Sequence, residues 1–158
     1  MKKSEIQKQI QAYGSEDAVV AAAIEILRGR LSDRRQLMSP QAVRDYLALN
    51  LQRVPHEVFW VVYLDAQNRV LAAEEAFRGT LTQTPVFPRE IVKRALHHNA
   101  AGVIFAHNHP SGIAEPSRAD EAITQTLKHT LALVDVKVLD HFIIGEGATM
   151  SFAERGLL

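Results

Sequence analysis

Cysteine is absent from the 158 residues, and the formal charges cancel, with 18 Lys+Arg against 18 Asp+Glu. The first absence excludes disulfide scaffolds, thiolate zinc fingers and a cysteine nucleophile, so any metal must be held by His, Asp or Glu. The second removes a global electrostatic drive toward nucleic acid or an anionic membrane and leaves only local patches. Long apolar runs are missing too: none approaches the ~20 residues of a membrane span, and the opening MKKSEIQKQI lacks the apolar core of a secretory signal. These absences predict a soluble cytoplasmic protein that does not enter a membrane. The length suits one globular domain with a short extension and is enough to bury a core. There is no internal repeat or low-complexity segment.

What is present reads as alternating strands and helices. Ser15 to Leu27 has a capping serine, early acids and good helix formers, and predicts a helix ending at Gly29. Arg28, Arg30, Arg34 and Arg35 then mark a basic linker, so residues 1–38 read as an N-terminal helix plus linker and 39–158 as the main domain. Ser39-Pro40 starts a second helix, with Val43, Tyr46, Leu47 and Leu51 at helical spacing. Val58–Leu64 and Arg69–Phe77 form a hairpin around Asp65-Ala66-Gln67-Asn68, followed by Gly79-Thr80 and a polar stretch, Leu81–Thr84. Pro88 to about His98 is helical, and Asn99 can terminate it. Ala101–Ala106 is a buried-type strand, Ser117 caps a long helix, and Val136–Leu139, Phe142–Ile144 and Thr149–Phe152 read as short strands. The fold class is therefore mixed α/β, with a central sheet flanked by helices.

Strand Ala101–Ala106 delivers the chain into His107-Asn108-His109-Pro110-Ser111-Gly112. Side-chain period two puts His107 and His109 on one face, where two imidazoles can converge on one ion. Pro110 and Gly112 turn the chain, and Asp120, in the first turn of the next helix, can fold back over them. Two nitrogens and one carboxylate oxygen leave the fourth position of a tetrahedral zinc for water, the open arrangement of a catalytic site. Ser117 and Asp120 also have the spacing of a capping box.

The pattern His107-x-His109, seven residues, Ser117, two residues, Asp120 resembles the JAMM/MPN metalloprotease signature. The stretch GTLTQTPVFPREIVKRALHHNAAGVIFAHNHPSG, with LDHFIIG and SFAERGLL, resembles the RadC-like branch of that superfamily, whose members traditionally carry a DNA-repair label. The resemblance spans Ser39 to Leu158 and implies a JAMM/MPN-like (cytidine-deaminase-like) domain with zinc on His107, His109 and Asp120. It also implies an upstream glutamate as general acid/base, five residues before Gly79, which selects Glu74 over Glu75. It gives Ser117 a second role, stabilising the oxyanion. The implied activity is a zinc-dependent metalloprotease or other amide or isopeptide hydrolase.

Two further readings belong to other classes. One is a DNA-repair-associated nucleic-acid or partner-binding module with a mainly structural zinc, for which the Arg28–Arg35 cluster is the available phosphate contact. Only 38 residues precede Ser39, too few for that linker plus the helix-hairpin-helix region of longer RadC-like proteins. The other is a two-His-one-carboxylate iron oxygenase. Asp140-His141 lies between two expected strands, where His141 either makes a structural hydrogen bond or supports the zinc shell. His97 and His98 end a helix, His56 and His129 read as surface residues, and Trp60 as core. The sequence identifies neither the substrate nor the oligomeric state.

Overall fold

A computed structural model describes residues 14–32, 40–80 and 85–158. The Ala18 amide donates to Ser15 Oγ at 3.1 Å, opening helix α1 (Glu16–Ser32) with Glu16 and Asp17 beside its free amides. The expected stop at Gly29 does not occur, and the helix continues to Ser32, through the first part of the stretch read as a linker. An interior glycine costs ~1 kcal/mol relative to alanine, which packing of Ile24 and Leu27 on the core offsets. Arg34, Arg35, Ser39, the expected boundary at 38/39 and Leu81–Thr84 lie outside the described residues. Helix α2 (Pro40–Leu51) has proline at its first position and buries Val43, Tyr46, Leu47 and Leu51, one stripe at helical spacing.

The remaining elements are β1 (Val58–Leu64), β2 (Val70–Arg78), α3 (Pro88–His97), β3 (Gly102–Asn108), α4 (Arg118–Ala132), β4 (Lys137–Ile144) and β5 (Thr149–Ser151). Asp65 Oδ1 accepts from the Gln67 and Arg69 amides and Asn68 takes φ 59°, closing the β1–β2 turn at the expected place. Asn99, at φ 53°, ends the α3 turn as expected. The strands form one sheet in the order β2-β1-β3-β4-β5, antiparallel except for the parallel β3–β4 pair. That pair requires a crossover, which α4 supplies. No helix among the described residues is long and apolar enough to cross a membrane.

Both faces of the sheet are covered, which explains why β1 is a continuous apolar run. Val58, Trp60, Val62 and Leu64 join the cluster under α2, while Phe59, Val61 and Tyr63 join Ile91 and Ala95 of α3 and Leu127 and Leu131 of α4. On β3, Ile104 and Ala106 face the α2 side and Val103 and Phe105 the α3/α4 side. The same alternation carries His107 to the α3/α4 face and Asn108 to the α2 face.

The two short strands expected at Val136–Leu139 and Phe142–Ile144 are one strand, β4, with a bulge. Val103 pairs with Val138 but Ile104 pairs with Asp140, leaving Leu139 as the extra residue. Val138 packs on the α3/α4 side and Phe142 and Ile144 on the α2 side, so the bulge reverses the parity of the strand. Its consequence is local: His141, paired with Phe105, is turned onto the face that carries His107.

Candidate metal centre

His107 is the penultimate residue of β3, and His109 follows one residue past the strand end. The His109 amide donates to Ile144 O at 2.9 Å, and the chain then reverses at Gly112, whose φ of 81° is readily available only to glycine. Glu146 N donates to Gly112 O at 2.9 Å, so the β4–β5 turn buttresses the loop, and a Cβ on Gly145 would collide with that Gly112 carbonyl oxygen. Ser117 caps α4 by accepting from Asp120 N at 3.1 Å, while Asp120 Oδ2 accepts from Ser117 N at 2.7 Å and Ser117 Oγ at 2.6 Å. The capping box thus aims the Asp120 carboxylate back over the histidines.

Among the described residues, His107, His109 and Asp120 form a group whose ligating atoms lie within 4.8 Å of one another. His107 Nε2 is 2.9 Å from His109 Nε2 and 3.2 Å from Asp120 Oδ1; His109 Nε2 is 3.5 Å from Asp120 Oδ2. Around a tetrahedral ion with ligands at about 2.0–2.1 Å, donor atoms stand about 3.3 Å apart, which these separations bracket. The opposite ring nitrogens are engaged elsewhere: His109 Nδ1 donates to Ile113 O at 2.8 Å, and His107 Nδ1 lies 2.8 Å from His141 Nε2. The three residues therefore fit a divalent metal, with both Nε2 atoms directed at one point. His107 is buried, while His109 and Asp120 open to a cavity of about 730 Å³ that leaves room for further ligands.

The charges interlock. The Asp120 hydrogen bond raises the His109 pKa above its usual value against the opposing effect of burial, with the Ile113 carbonyl and Glu57 adding to the rise. Burial pushes the Asp120 carboxyl up, but its contacts with the His107 and His109 rings outweigh it and hold that group well below the ordinary carboxylate range. Burial, with the neighbouring His107, keeps His141 neutral by lowering its pKa well below the usual histidine value.

Glu74, expected as the general acid/base, is not at this centre. It pairs with Val61, which in turn lies opposite Phe105; the level of His107 is occupied by Phe59 on β1 and Phe77 on β2. The Glu74 carboxylate instead faces Arg94 at 3.4 Å and His98 at 3.8 Å, and its charge adds to burial in raising the Tyr63 phenol. The acid that lines the cavity with the ligands is Glu57. Continuing the β1–β3 register two residues beyond Phe59–His107 sets Glu57 opposite His109, in agreement with its electrostatic effect on that ring. Ser117 also lines the cavity, with its hydroxyl proton directed at Asp120 Oδ2.

Asn108, between the two histidines, points to the other face. Its Oδ1 accepts from the Val58 amide at 2.9 Å, and its Nδ2 donates to Val54 O at 3.1 Å and His56 O at 3.0 Å. It thereby ties the strand bearing the ligands to the segment bearing Glu57. Asp140, unassigned from sequence, accepts from the His141 and Ala153 amides and from Ser151 Oγ, which fastens β4 to the C-terminal turn.

Residues 37–157 match the RadC-like JAB domain family. A UPF0758 protein of Nitrosomonas eutropha is 62% identical over 150 residues, covering 95% of this chain and 64% of that protein. A UPF0758 protein of Methylibium petroleiphilum is 63% identical over 145 residues, with 89% and 65% covered. One of Albidiferax ferrireducens is 56% identical over 156 residues, with 96% and 67% covered. The chain thus spans about 64% of the length of the first of these relatives. On the family match and these identities, the chain belongs to the RadC-like JAB domain family.

Proposed function

We propose that the chain is a zinc-dependent hydrolase that cleaves an amide or isopeptide bond in a protein or peptide. The observation that carries this reading is the convergence of His107, His109 and Asp120 in an open cavity that Glu57 also lines. Zinc held there would supply Lewis acidity and make water an effective nucleophile at neutral pH. The protein's part is geometric and protonic. Glu57 takes the proton of the attacking water on its carboxylate and returns it to the leaving amine nitrogen, so the acid/base role passes from Glu74 to Glu57. Ser117 holds Asp120 Oδ2; the same hydroxyl, turned toward the substrate carbonyl, would donate to its developing oxyanion. Phe59, Val86 and Ile123 give the cavity an apolar wall that limits competing water.

The acid/base carboxylate favours hydrolysis over an iron oxygenase, whose ligand set alone would be the same. A nucleic-acid-binding role gains nothing from this cavity, because no Lys or Arg lines it among the described residues and Glu57 and Asp120 are acidic. The test is new N-termini released from a peptide library by zinc-loaded protein. Release by the wild type and none by Asp120→Asn supports the proposal; equal release by both overturns it.

A further inference from the structure

His107 does not end at its own ring. His107 Nδ1 lies 2.8 Å from His141 Nε2, His141 Nδ1 lies 2.7 Å from Thr124 Oγ1, and Thr124 Oγ1 lies 2.5 Å from Asp120 O. His141 and Thr124 are both fully buried. The chain of contacts leaves one ligand, His107, and returns to the backbone of another, Asp120.

Donor and acceptor counting gives this chain a direction. Two oxygens 2.5 Å apart require a hydrogen between them, and the Asp120 carbonyl has none, so the single Thr124 hydroxyl proton lies on that contact. Thr124 Oγ1 can then only accept from His141, which fixes the proton of that imidazole on Nδ1. His141 Nε2 is left as an acceptor, and the proton it receives must be on His107 Nδ1. His107 Nε2 consequently presents a lone pair toward His109 and Asp120, the form in which an imidazole binds a metal.

We infer that Thr124 and His141 are positioning residues that fix the His107 tautomer for metal binding before the metal arrives. The inference rests on the metal site proposed above. The fold supplies both groups by specific devices: the Leu139 bulge turns His141 onto the His107 face, and α4 sets Thr124 one turn after Asp120. A purely packing role for a buried polar pair would not require this order of donors, nor a closed path between two ligands.

The test uses the full chain. Thr124→Val keeps the side-chain shape and removes the only acceptor for His141 Nδ1–H, which drives His141 to the opposite tautomer and puts a proton on His107 Nε2. Zinc affinity measured by competition with a chromophoric chelator should fall about 10–100-fold in Thr124→Val and stay within about threefold of wild type in Thr124→Ser. Long-range ¹⁵N–¹H spectra of the metal-free wild type should show both His107 and His141 protonated at Nδ1. Unchanged zinc affinity in Thr124→Val, or protonation of His141 at Nε2 in the wild type, overturns the inference. A wild type that binds no zinc overturns the metal site itself, while the ¹⁵N spectra still decide the tautomer; they also decide it if Thr124→Val does not fold.

Discussion

Replacing Asn108 by alanine isolates the link between the two halves of the candidate site. The side chain is 2% exposed and makes three hydrogen bonds, to the Val58 amide and to the carbonyls of Val54 and His56. A hydrogen bond contributes about 1 kcal/mol net, and a buried group left unpaired costs about 1–3 kcal/mol. The Val58 amide is buried, whereas water can partly replace the donors to the two half-buried carbonyls. The sum is a loss of about 3 kcal/mol, or a fall in Tm of about 6–12 °C for a chain of this size. The damage should be uneven. Deuterium exchange should rise first at the Val58 amide and across residues 54–58, because that segment loses its tether, while β3 keeps its pairing to β1 and β4. Zinc affinity should change little, since His107, His109 and Asp120 retain their own partners, but Glu57 keeps only its backbone bonds to Gly79 and Thr80, so its position loosens and any hydrolysis falls with it. Denaturant unfolding and exchange mass spectrometry measure both effects. If Asn108→Ala unfolds at the wild-type denaturant concentration, or exchange over 54–58 is unchanged, Asn108 does not hold the Glu57 segment.

The stability of the metal-free protein should depend on pH with a sign set by the His109–Asp120 pair. The raised His109 pKa contributes stability that is present below the unfolded value near 6.5 and is lost as pH rises through the higher folded value. The lowered Asp120 pKa contributes above its unfolded value near 3.8 and is lost only as pH falls through the folded one. This pair therefore supports the metal-free fold best between those two values, and denaturation at a series of pH values should show a loss above 6.5 that His109→Gln removes. At Gly145, alanine would drive a methyl into the Gly112 carbonyl and against Ala114, costing about 1–3 kcal/mol as overpacking. Chelator competition should show weakened zinc binding in Gly145→Ala, because the loop bearing His109 is displaced.

Local chemistry made much of the molecule legible in its sequence. Asp65 and Asn68 announced the hairpin, Ser117 and Asp120 the start of α4, and the His107-x-His109 spacing one face of a strand end, because each signal is written within a few residues. What was not legible depended on partners distant in sequence. Period two separates Glu74 from Glu75 but does not say which level of the sheet either occupies; that follows from the β1–β3 register, which sets Glu57 at the site and Glu74 beside Arg94. The available signal for Glu57 was its place directly before the most apolar strand, antiparallel to the strand carrying the histidines. Similarly, the Leu139 bulge breaks the period-two alternation, so local pattern divides one strand into two with His141 between them. Gly29 was read as a stop because tertiary packing by Ile24 and Leu27 is invisible to local helix propensity.

The assignment of the acid/base group is the claim most directly open to measurement. Glu57→Gln and Glu74→Gln, each loaded with zinc and assayed for peptide hydrolysis beside the wild type, separate the carboxylate in the cavity from the one paired with Arg94. Both variants should bind zinc, with Glu57→Gln losing about 10²–10⁴-fold in rate and Glu74→Gln staying near the wild-type rate. Full activity in Glu57→Gln with loss in Glu74→Gln would contradict the assignment.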